Sequence, residues 1–174
     1  MSTLLIKNAS TIATFNDQMQ RLSNASIFVR DQRIEWIREG AEEVVADRVV
    51  DASGMLVMPG MINCHHHMFQ TLTRNIPRVQ EAELFPWLVH LYEVWRELTP
   101  EGLYWATQLG LGELLLTGCT TTTDHFYLFP QGSPEEIFDQ QVKAANLVGI
   151  RFQPTRGSMT RGKTLGGLPP DDCV

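Results

Sequence analysis

The sequence predicts an α/β fold in two parts, a small and mostly antiparallel β-sheet over residues 1–57 and strand–helix units around a parallel sheet over residues 58–174. The first part lacks a helical period and has short β-branched and aromatic runs between turn-forming residues. The second part alternates apolar strand-like runs with amphipathic helical runs, which is typical of a parallel sheet covered by helices. At 174 residues and 43% hydrophobic, the chain is large enough to bury a sizeable core.

In the first part, four short runs favour strands because they are rich in β-branched, aromatic and aliphatic residues. These runs cover residues 4–6, 11–15, 26–29 and 33–37. Asn16-Asp17, Asp31-Gln32 and Gly40 interrupt them with residues that are favoured in turns. Charged residues interleaved with the apolar positions indicate that one face of this sheet meets solvent.

The second part begins with a nearly continuous apolar run at residues 55–63, which predicts a strand entering a buried parallel sheet. Apolar residues then recur at steps of three and four over residues 84–98, which predicts an amphipathic helix. Thr99, followed by proline, is typical of the N-cap of a second helix that runs to about Thr117 and stops at Gly118.

The remaining elements repeat this alternation. Residues 119–124 are β-branched and predict the second parallel strand. A capping box at residues 133–136, with proline at the first helical position, predicts a helix that reaches Val148. Residues 150–155 then predict the third strand, and residues 157–174 are a glycine- and proline-rich loop without a further element.

Composition argues against several classes of partner. The chain has 14 Lys+Arg against 20 Asp+Glu, a formal net charge of −6, and no basic run, so neither nucleic acid nor an anionic membrane is expected to bind it. It has no apolar stretch of membrane-spanning length and no signal-peptide pattern, so we expect a cytoplasmic protein. Three widely spaced cysteines without a C-x-x-C pair suit reduced thiols.

The residues with the clearest chemistry are the histidines that come after the first predicted parallel strand. Side chains alternate along a strand, so His65 and His67 would project to one side and His66 to the other. Two imidazoles at that spacing can both reach a divalent ion such as zinc. The alternative is a polar surface turn, but the apolar run before the histidines and Asp124-His125 at the end of the second strand favour a site at the sheet edge.

The string VMPGMINCHHHMFQTLTRN resembles the first barrel strand of the amidohydrolase superfamily, whose pattern is Pro-Gly-x-x-x-x-His-x-His. The strings AELFPWLVHLYEVWRELTPE, TGCTTTTDHFYLFPQG, RGSM and GGLPPD are similar to the subgroup of 8-oxoguanine deaminases and triazine hydrolases. Residues 55–172 carry the resemblance, and residues 1–54 look like the N-terminal sheet of that family. The resemblance implies a β/α barrel of the TIM type preceded by a small sheet.

The resemblance also implies an activity, the hydrolytic deamination of a purine-type or triazine-like small molecule with one divalent metal ion, zinc or iron. By analogy His65 and His67 bind the ion, and a metal-bound hydroxide attacks the ring carbon that bears the amino group. Gln70 matches the glutamine that contacts the substrate ring in this subgroup. Trp87 is either a wall of the substrate pocket or a core residue, and Arg156 is either a substrate contact or part of a polar turn.

The chain departs from the family pattern after the third strand. The family takes further metal ligands, a proton-shuttling glutamate and an aspartate base from its fifth, sixth and eighth strands, and a closed barrel needs ~250 residues. We therefore expect the barrel here to be incomplete, the catalytic residues to lie beyond Val174, and the 174-residue chain to be an N-terminal fragment that is inactive alone. The open alternatives are a triazine chlorohydrolase or ethylaminohydrolase and a non-catalytic truncated fragment. Full-length members are expected to be homo-oligomers.

Overall fold

A computed structural model describes residues 1–40 and 44–174, so residues 41–43 of the predicted N-terminal sheet lie outside the described residues. The chain divides into two compact units, Met1–Pro59 and Gly60–Val174. The division lies two residues after the boundary predicted between residues 57 and 58.

The first unit is a five-stranded mixed sheet. Strand β1 pairs antiparallel with β2, which pairs antiparallel with β3, while β4 and β5 both pair parallel with β1. The strands are β1 (Thr3–Ala13), β2 (Arg21–Arg30), β3 (Arg33–Glu39), β4 (Arg48–Asp51) and β5 (Leu56–Val57).

The first two predicted runs of this unit belong to a single strand, β1. The register of β1 against β2 shifts between Ile6 and Ala9, and Asn8 has a φ of 60°. Asparagine tolerates this left-handed conformation better than most residues, so a bulge rather than a turn separates the two runs.

The second unit is a three-stranded parallel sheet with helices between its strands. The strand order is β6-β7-β8, and both pairings are parallel. The elements are β6 (Met61–Asn63), α1 (Leu84–Trp95), α2 (Pro100–Leu116), β7 (Cys119–Phe126), α3 (Asp139–Val148) and β8 (Arg151–Arg156).

The prediction of one continuous strand over residues 55–63 is wrong. Leu56–Val57 pairs with β1 in the first unit, whereas Met61–Asn63 pairs with β7 in the second. Pro59 has no backbone N–H to donate to a ladder, so the strand breaks there. Gly60 is needed for close approach, because a Cβ at this position would lie 2.2 Å from Thr120 Cγ2.

The helix caps agree with the sequence in one case and depart from it in another. The Thr99 hydroxyl accepts a hydrogen bond of 3.0 Å from the N–H of Gly102 at the start of α2, as its N-cap position predicts. The capping box at residues 133–136 does not open α3, because Glu135–Ile137 forms a separate 3-10 turn and α3 begins at Asp139 without a side-chain cap.

The prediction that the last 18 residues hold no element is also wrong. Two 3-10 turns lie there, Lys163–Leu165 and Asp171–Cys173. Cys173 is only 2% exposed and belongs to the main aromatic core, so this segment packs on the unit.

Two apolar clusters anchor the chain just after the histidines. The 3-10 helix Met68–Thr73 comes directly after them, and its first two residues are fully buried. Met68 packs with Leu111, Ala145 and Ile150 in one cluster. Phe69 belongs to the other cluster, which includes Val79, Leu91, Tyr92, Trp95, Leu103, Phe126, Leu128 and Ile137. The two neighbouring side chains therefore fix the position of this turn.

Among the described residues, no helix combines the length and the apolar character needed to cross a membrane.

Two glycines on α2 test how tightly this helix fits the turn. A Cβ at Gly110 would lie 2.7 Å from Met68 Sδ and 3.2 Å from Thr71 Oγ1, whereas a Cβ at Gly112 would have no neighbour within 4 Å. We expect Gly110→Ala to lower the free energy of unfolding by about 1–3 kcal/mol through overpacking. The matched control Gly112→Ala should raise it by about 1 kcal/mol through helix propensity. Urea unfolding measures both, and a stabilising Gly110→Ala would contradict the packing.

Candidate metal centre

The predicted metal-binding histidines lie just beyond the end of β6. The strand ends at Asn63, so the regular strand geometry expected for the histidines is not present. The rings of His65 and His67 nevertheless lie together, with centroids 5.1 Å apart and ring planes at 88°. His66 faces α2, where its Cε1 lies 3.6 Å from the position of a Cβ on Gly110. The alternation expected from a strand thus continues past its end.

Three hydrogen bonds attach residues 66–68 to the carboxyl end of β7. The N–H of His125 donates to the carbonyl oxygen of His66 at 2.9 Å. His67 Nδ1 lies 2.8 Å from the carbonyl oxygen of His125, and the N–H of Met68 donates to Asp124 Oδ1 at 2.7 Å. We call this set of bonds the β7 clamp.

The β7 clamp selects the tautomer of a neutral His67 ring. A carbonyl oxygen can only accept, so Nδ1 of His67 must carry the hydrogen in the bond to His125. The lone pair of a neutral His67 ring then lies on Nε2. Metal-binding histidines are commonly held in this way, with the second ring nitrogen bonded to a carbonyl or carboxylate.

Asp124, on the middle strand β7, is the buried member of the β7 clamp. It is 0% exposed, and its Oδ2 accepts a second hydrogen bond of 2.6 Å from Gln141 Nε2 on α3. Burial raises the pKa of Asp124, and the hydrogen bonds from Gln141 and Met68 partly oppose that rise. Its hydrogen bonds go to the backbone just after His67 and to α3, rather than to an imidazole.

Gln70 lies beside the histidines, and Trp87 lies in an adjoining cavity. One cavity of about 350 Å³ is lined by His65, His66, His67, Gln70, Thr71 and Arg74. A larger one, of about 530 Å³, shares Gln70 and Arg74 with it and is also lined by Trp87. The Arg74 guanidinium is paired with Glu113 on α2, at 2.7 Å. The structure therefore brings three of the predicted site residues together, with Trp87 next to them.

Trp87 and Arg156 differ in their relation to this site. Trp87 is half-buried on α1 and lies edge-on to Trp95, with ring centroids 5.5 Å apart, so it contacts the core while lining the cavity. Arg156 is exposed at the end of β8, with its guanidinium carbon 4.2 Å from the ring centroid of Phe129. It lines a separate cavity and is not brought to the histidines.

Tyr127 is a site residue that sequence reasoning missed. Its ring lies edge-on to His67 at 5.3 Å and to Phe69 at 5.5 Å. Burial raises the pKa of its hydroxyl, whose polar neighbours include the side chains of Tyr92 and Gln70. The sequence signal that could have identified Tyr127 is its position two residues after His125. The His125 ring also lies near the His67 ring, with centroids 5.7 Å apart.

The donor set fits a divalent ion but does not complete a site. Within residues 1–40 and 44–174, no group of three or more His, Cys, Asp or Glu side chains is arranged to hold a metal ion. His65 and His67 thus offer two imidazoles where a catalytic zinc usually has three protein ligands.

Comparison with known proteins identifies close similarities to metal-dependent hydrolases and deaminases. The model of the amidohydrolase family matches residues 56–172. An 8-oxoguanine deaminase from Pseudomonas aeruginosa is 52% identical over 124 residues, which cover 71% of this chain and 27% of that protein. A hydroxydechloroatrazine ethylaminohydrolase from Pseudomonas sp. strain ADP is 30% identical over 182 residues, covering 98% of this chain and 38% of that protein.

A solved structure extends the similarity to the fold. The atrazine chlorohydrolase from Arthrobacter aurescens TC1, in complex with zinc, superposes with a TM-score of 0.89 at 31% identity and covers 98% of this chain and 39% of that one. The predicted α/β fold class is therefore confirmed. The chain spans only about a quarter to two fifths of the length of the relatives it matches.

The half-buried position of His66 predicts a pH dependence of stability. Burial, with a smaller contribution from Arg74, lowers the pKa of folded His66 below its value of about 6.5 in an unfolded chain. Between those two pKa values the unfolded state binds more protons, so the free energy of unfolding should fall as pH drops below about 6.5. We expect His66→Gln to remove part of this slope, at most about 1.4 kcal/mol per pH unit.

Chemical unfolding at a series of pH values measures this slope. The free energies of unfolding of the wild-type chain and the variant are first compared at pH 8, where His66 is neutral in both the folded and the unfolded state. The difference at this pH is the effect of the substitution that does not depend on protonation. If the free energies of unfolding of wild type and His66→Gln changed equally between pH 8 and pH 5, His66 would not be the source of the pH dependence.

Proposed function

The chain belongs to the amidohydrolase family, and on that premise we propose that it forms the metal-binding part of a hydrolytic deaminase acting on a purine-type ring such as 8-oxoguanine. The observation that carries the proposal is that His65, His67 and Gln70 line one cavity. The choice of ring is supported by the 52% identity to an 8-oxoguanine deaminase.

We propose that His65 and His67 hold a divalent ion, with zinc as the first choice because a similar chlorohydrolase has been solved with zinc. The two adjacent rings and the free Nε2 of His67 support this role. When bound, such an ion lowers the pKa of a coordinated water so that it can act as a nucleophile at neutral pH.

The other residues of the cavity would bind and orient the ring. The carboxamide of Gln70 offers both a donor and an acceptor, which matches the alternating groups on a purine edge. Trp87 presents an indole in the adjoining cavity, where a flat heteroaromatic ring could pack against it. Phe69 and Tyr127 contact the His67 ring edge-on, with ring centroids 6.2 Å and 5.3 Å away.

A triazine hydrolase is the second candidate function. It is supported by a specific observation, the similarity of nearly the whole chain to two proteins named for triazine substrates, the ethylaminohydrolase and the chlorohydrolase. Removal of chloride or an alkylamine from a triazine needs the same kind of activated water as deamination, so the metal site alone does not separate the two candidates.

Zinc affinity tests the metal site. We expect His65→Ala and His67→Ala each to raise the zinc dissociation constant of the 174-residue chain at least 10-fold, because each removes one of two chelating imidazoles. His90→Ala is the matched control, since His90 lies on α1 and lines neither of the cavities described above. Competition with a chromophoric chelator at pH 7.5 gives the constants. Equal effects of all three substitutions would exclude the assignment.

Substrate choice is tested in a chimaera. In the chimaera, the 174-residue chain replaces the stretch of the Pseudomonas aeruginosa 8-oxoguanine deaminase that it matches. We expect the zinc-loaded chimaera to release ammonia from 8-oxoguanine faster than it releases chloride from atrazine. The 174-residue chain alone should release neither, because its described residues offer two imidazoles and no third ligand. Faster turnover of atrazine would favour the triazine candidate, and ammonia release by the chain alone would refute the expected inactivity.

A further inference from the structure

We propose that Asp124 is a positioning residue which, together with Gln141, holds the backbone after His67 in the geometry needed for metal binding. This inference rests on the proposed metal site. It assigns to a buried carboxylate on β7 a role that acts through the peptide of Met68 rather than through contact with metal or substrate.

The geometry joins three elements at one carboxylate. Asp124 Oδ1 accepts from the N–H of Met68 at 2.7 Å, and Oδ2 accepts from Gln141 Nε2 at 2.6 Å. Asp124 and Gln141 are both 0% exposed. The carboxylate thereby links β7 both to α3 and to the segment that carries the histidines.

The link to the imidazole comes from the neighbouring residue. Asp124 binds the peptide directly after His67, while the carbonyl oxygen of His125 binds Nδ1 of the His67 ring itself. Two consecutive residues of β7 thus restrain both the backbone and the ring of His67. Loss of the Met68 anchor would let the backbone move and would weaken the ring bond to His125.

Asp124 does not line the cavity beside the histidines. A cavity of about 280 Å³ beside the histidines is lined by its neighbours Thr123 and His125, but not by Asp124. A buried carboxylate is costly unless it is hydrogen-bonded, and a charge-assisted bond to a backbone N–H is shorter and stronger than a neutral one. These properties suit an anchor that must hold one peptide firmly.

The orientation of Gln141 suggests a conservative variant. Its Oε1 is buried without a hydrogen-bond partner, because Nε2 is turned toward Asp124. In Asp124→Asn, rotation of the Gln141 amide would let the new Nδ2 donate to Oε1, while Oδ1 still accepts from Met68. Asp124→Asn therefore keeps the anchor, whereas Asp124→Ala removes it.

Two readouts on the 174-residue chain test the proposal. The first is the ¹⁵N NMR signal of the His67 ring without metal at pH 8, which distinguishes the Nδ1–H form from the Nε2–H form. The second is the zinc dissociation constant from chelator competition. We expect Asp124→Ala to reduce the Nδ1–H form of His67 and to raise the zinc constant 10-fold or more, and Asp124→Asn to stay within about threefold of wild type.

Further variants separate positioning from general stability. Ala144→Gly, at a position one turn from Gln141 on α3, weakens the helix but removes no hydrogen-bonding group, so it should lower the melting temperature and leave both readouts unchanged. If Asp124→Ala does not fold, Gln141→Leu removes only the hydrogen bond to Asp124 Oδ2. It should move both readouts in the same direction as Asp124→Ala and raise the zinc constant clearly more than Asp124→Asn does.

The proposal is overturned if the folded Asp124→Ala or Gln141→Leu chain keeps the wild-type ring signals and zinc dissociation constant. It is also overturned if Ala144→Gly changes the ring signals and the zinc constant as much as those variants do. Absence of zinc binding in the wild-type chain would refute the proposed metal site instead. In that case the ring signals of His67 still decide whether Asp124 positions it.

Discussion

The arrangement of the candidate site depends on the attachment of residues 66–68 to the end of β7. Regular pairing of β6 stops at Asn63, before the histidines begin. Beyond that point the chain is held by its hydrogen bonds with Asp124, which accepts, and with the backbone of His125. Because a carbonyl oxygen accepts from Nδ1 of His67, the lone pair of the neutral ring lies on Nε2, so one set of bonds sets both the position and the tautomer of the ring.

The packing of the turn that follows the histidines stabilises this attachment. Met68 and Phe69 are buried in two different apolar clusters, so the turn after the histidines cannot rotate without opening one of them. The indole N–H of Trp95 on α1 donates to Thr73 Oγ1 at 2.8 Å, which ties the other end of the turn to the aromatic core. Gly110 lets α2 approach the turn closely. A site built from exposed polar groups thus stands on a closely packed base.

The local sequence pattern correctly predicted structural features that depend on residues close together in the chain. The period of two placed His65 and His67 together, and Thr99 capped α2 as its type and position indicated. The features that the sequence could not predict depend on contacts between distant segments. The bond between His67 and His125 spans 58 residues, and the apolar run at residues 55–63 is divided at Pro59-Gly60 between two different sheets. Arg156 comes at the end of the third strand as expected, yet the ring of Phe129 holds it at a different cavity.

We propose that the His67 ring is held with its hydrogen on Nδ1, so that Nε2 and the neighbouring His65 ring can bind one ion. The most direct measurement is a zinc titration of the ¹⁵N-labelled chain at pH 8, monitored through the ring nitrogens of both histidines. We predict that Nδ1 of His67 stays protonated throughout while Nε2 shifts together with one ring nitrogen of His65, with a common midpoint. A His67 ring that carries its hydrogen on Nε2 before zinc is added, or two histidines that respond at different zinc concentrations, would contradict this.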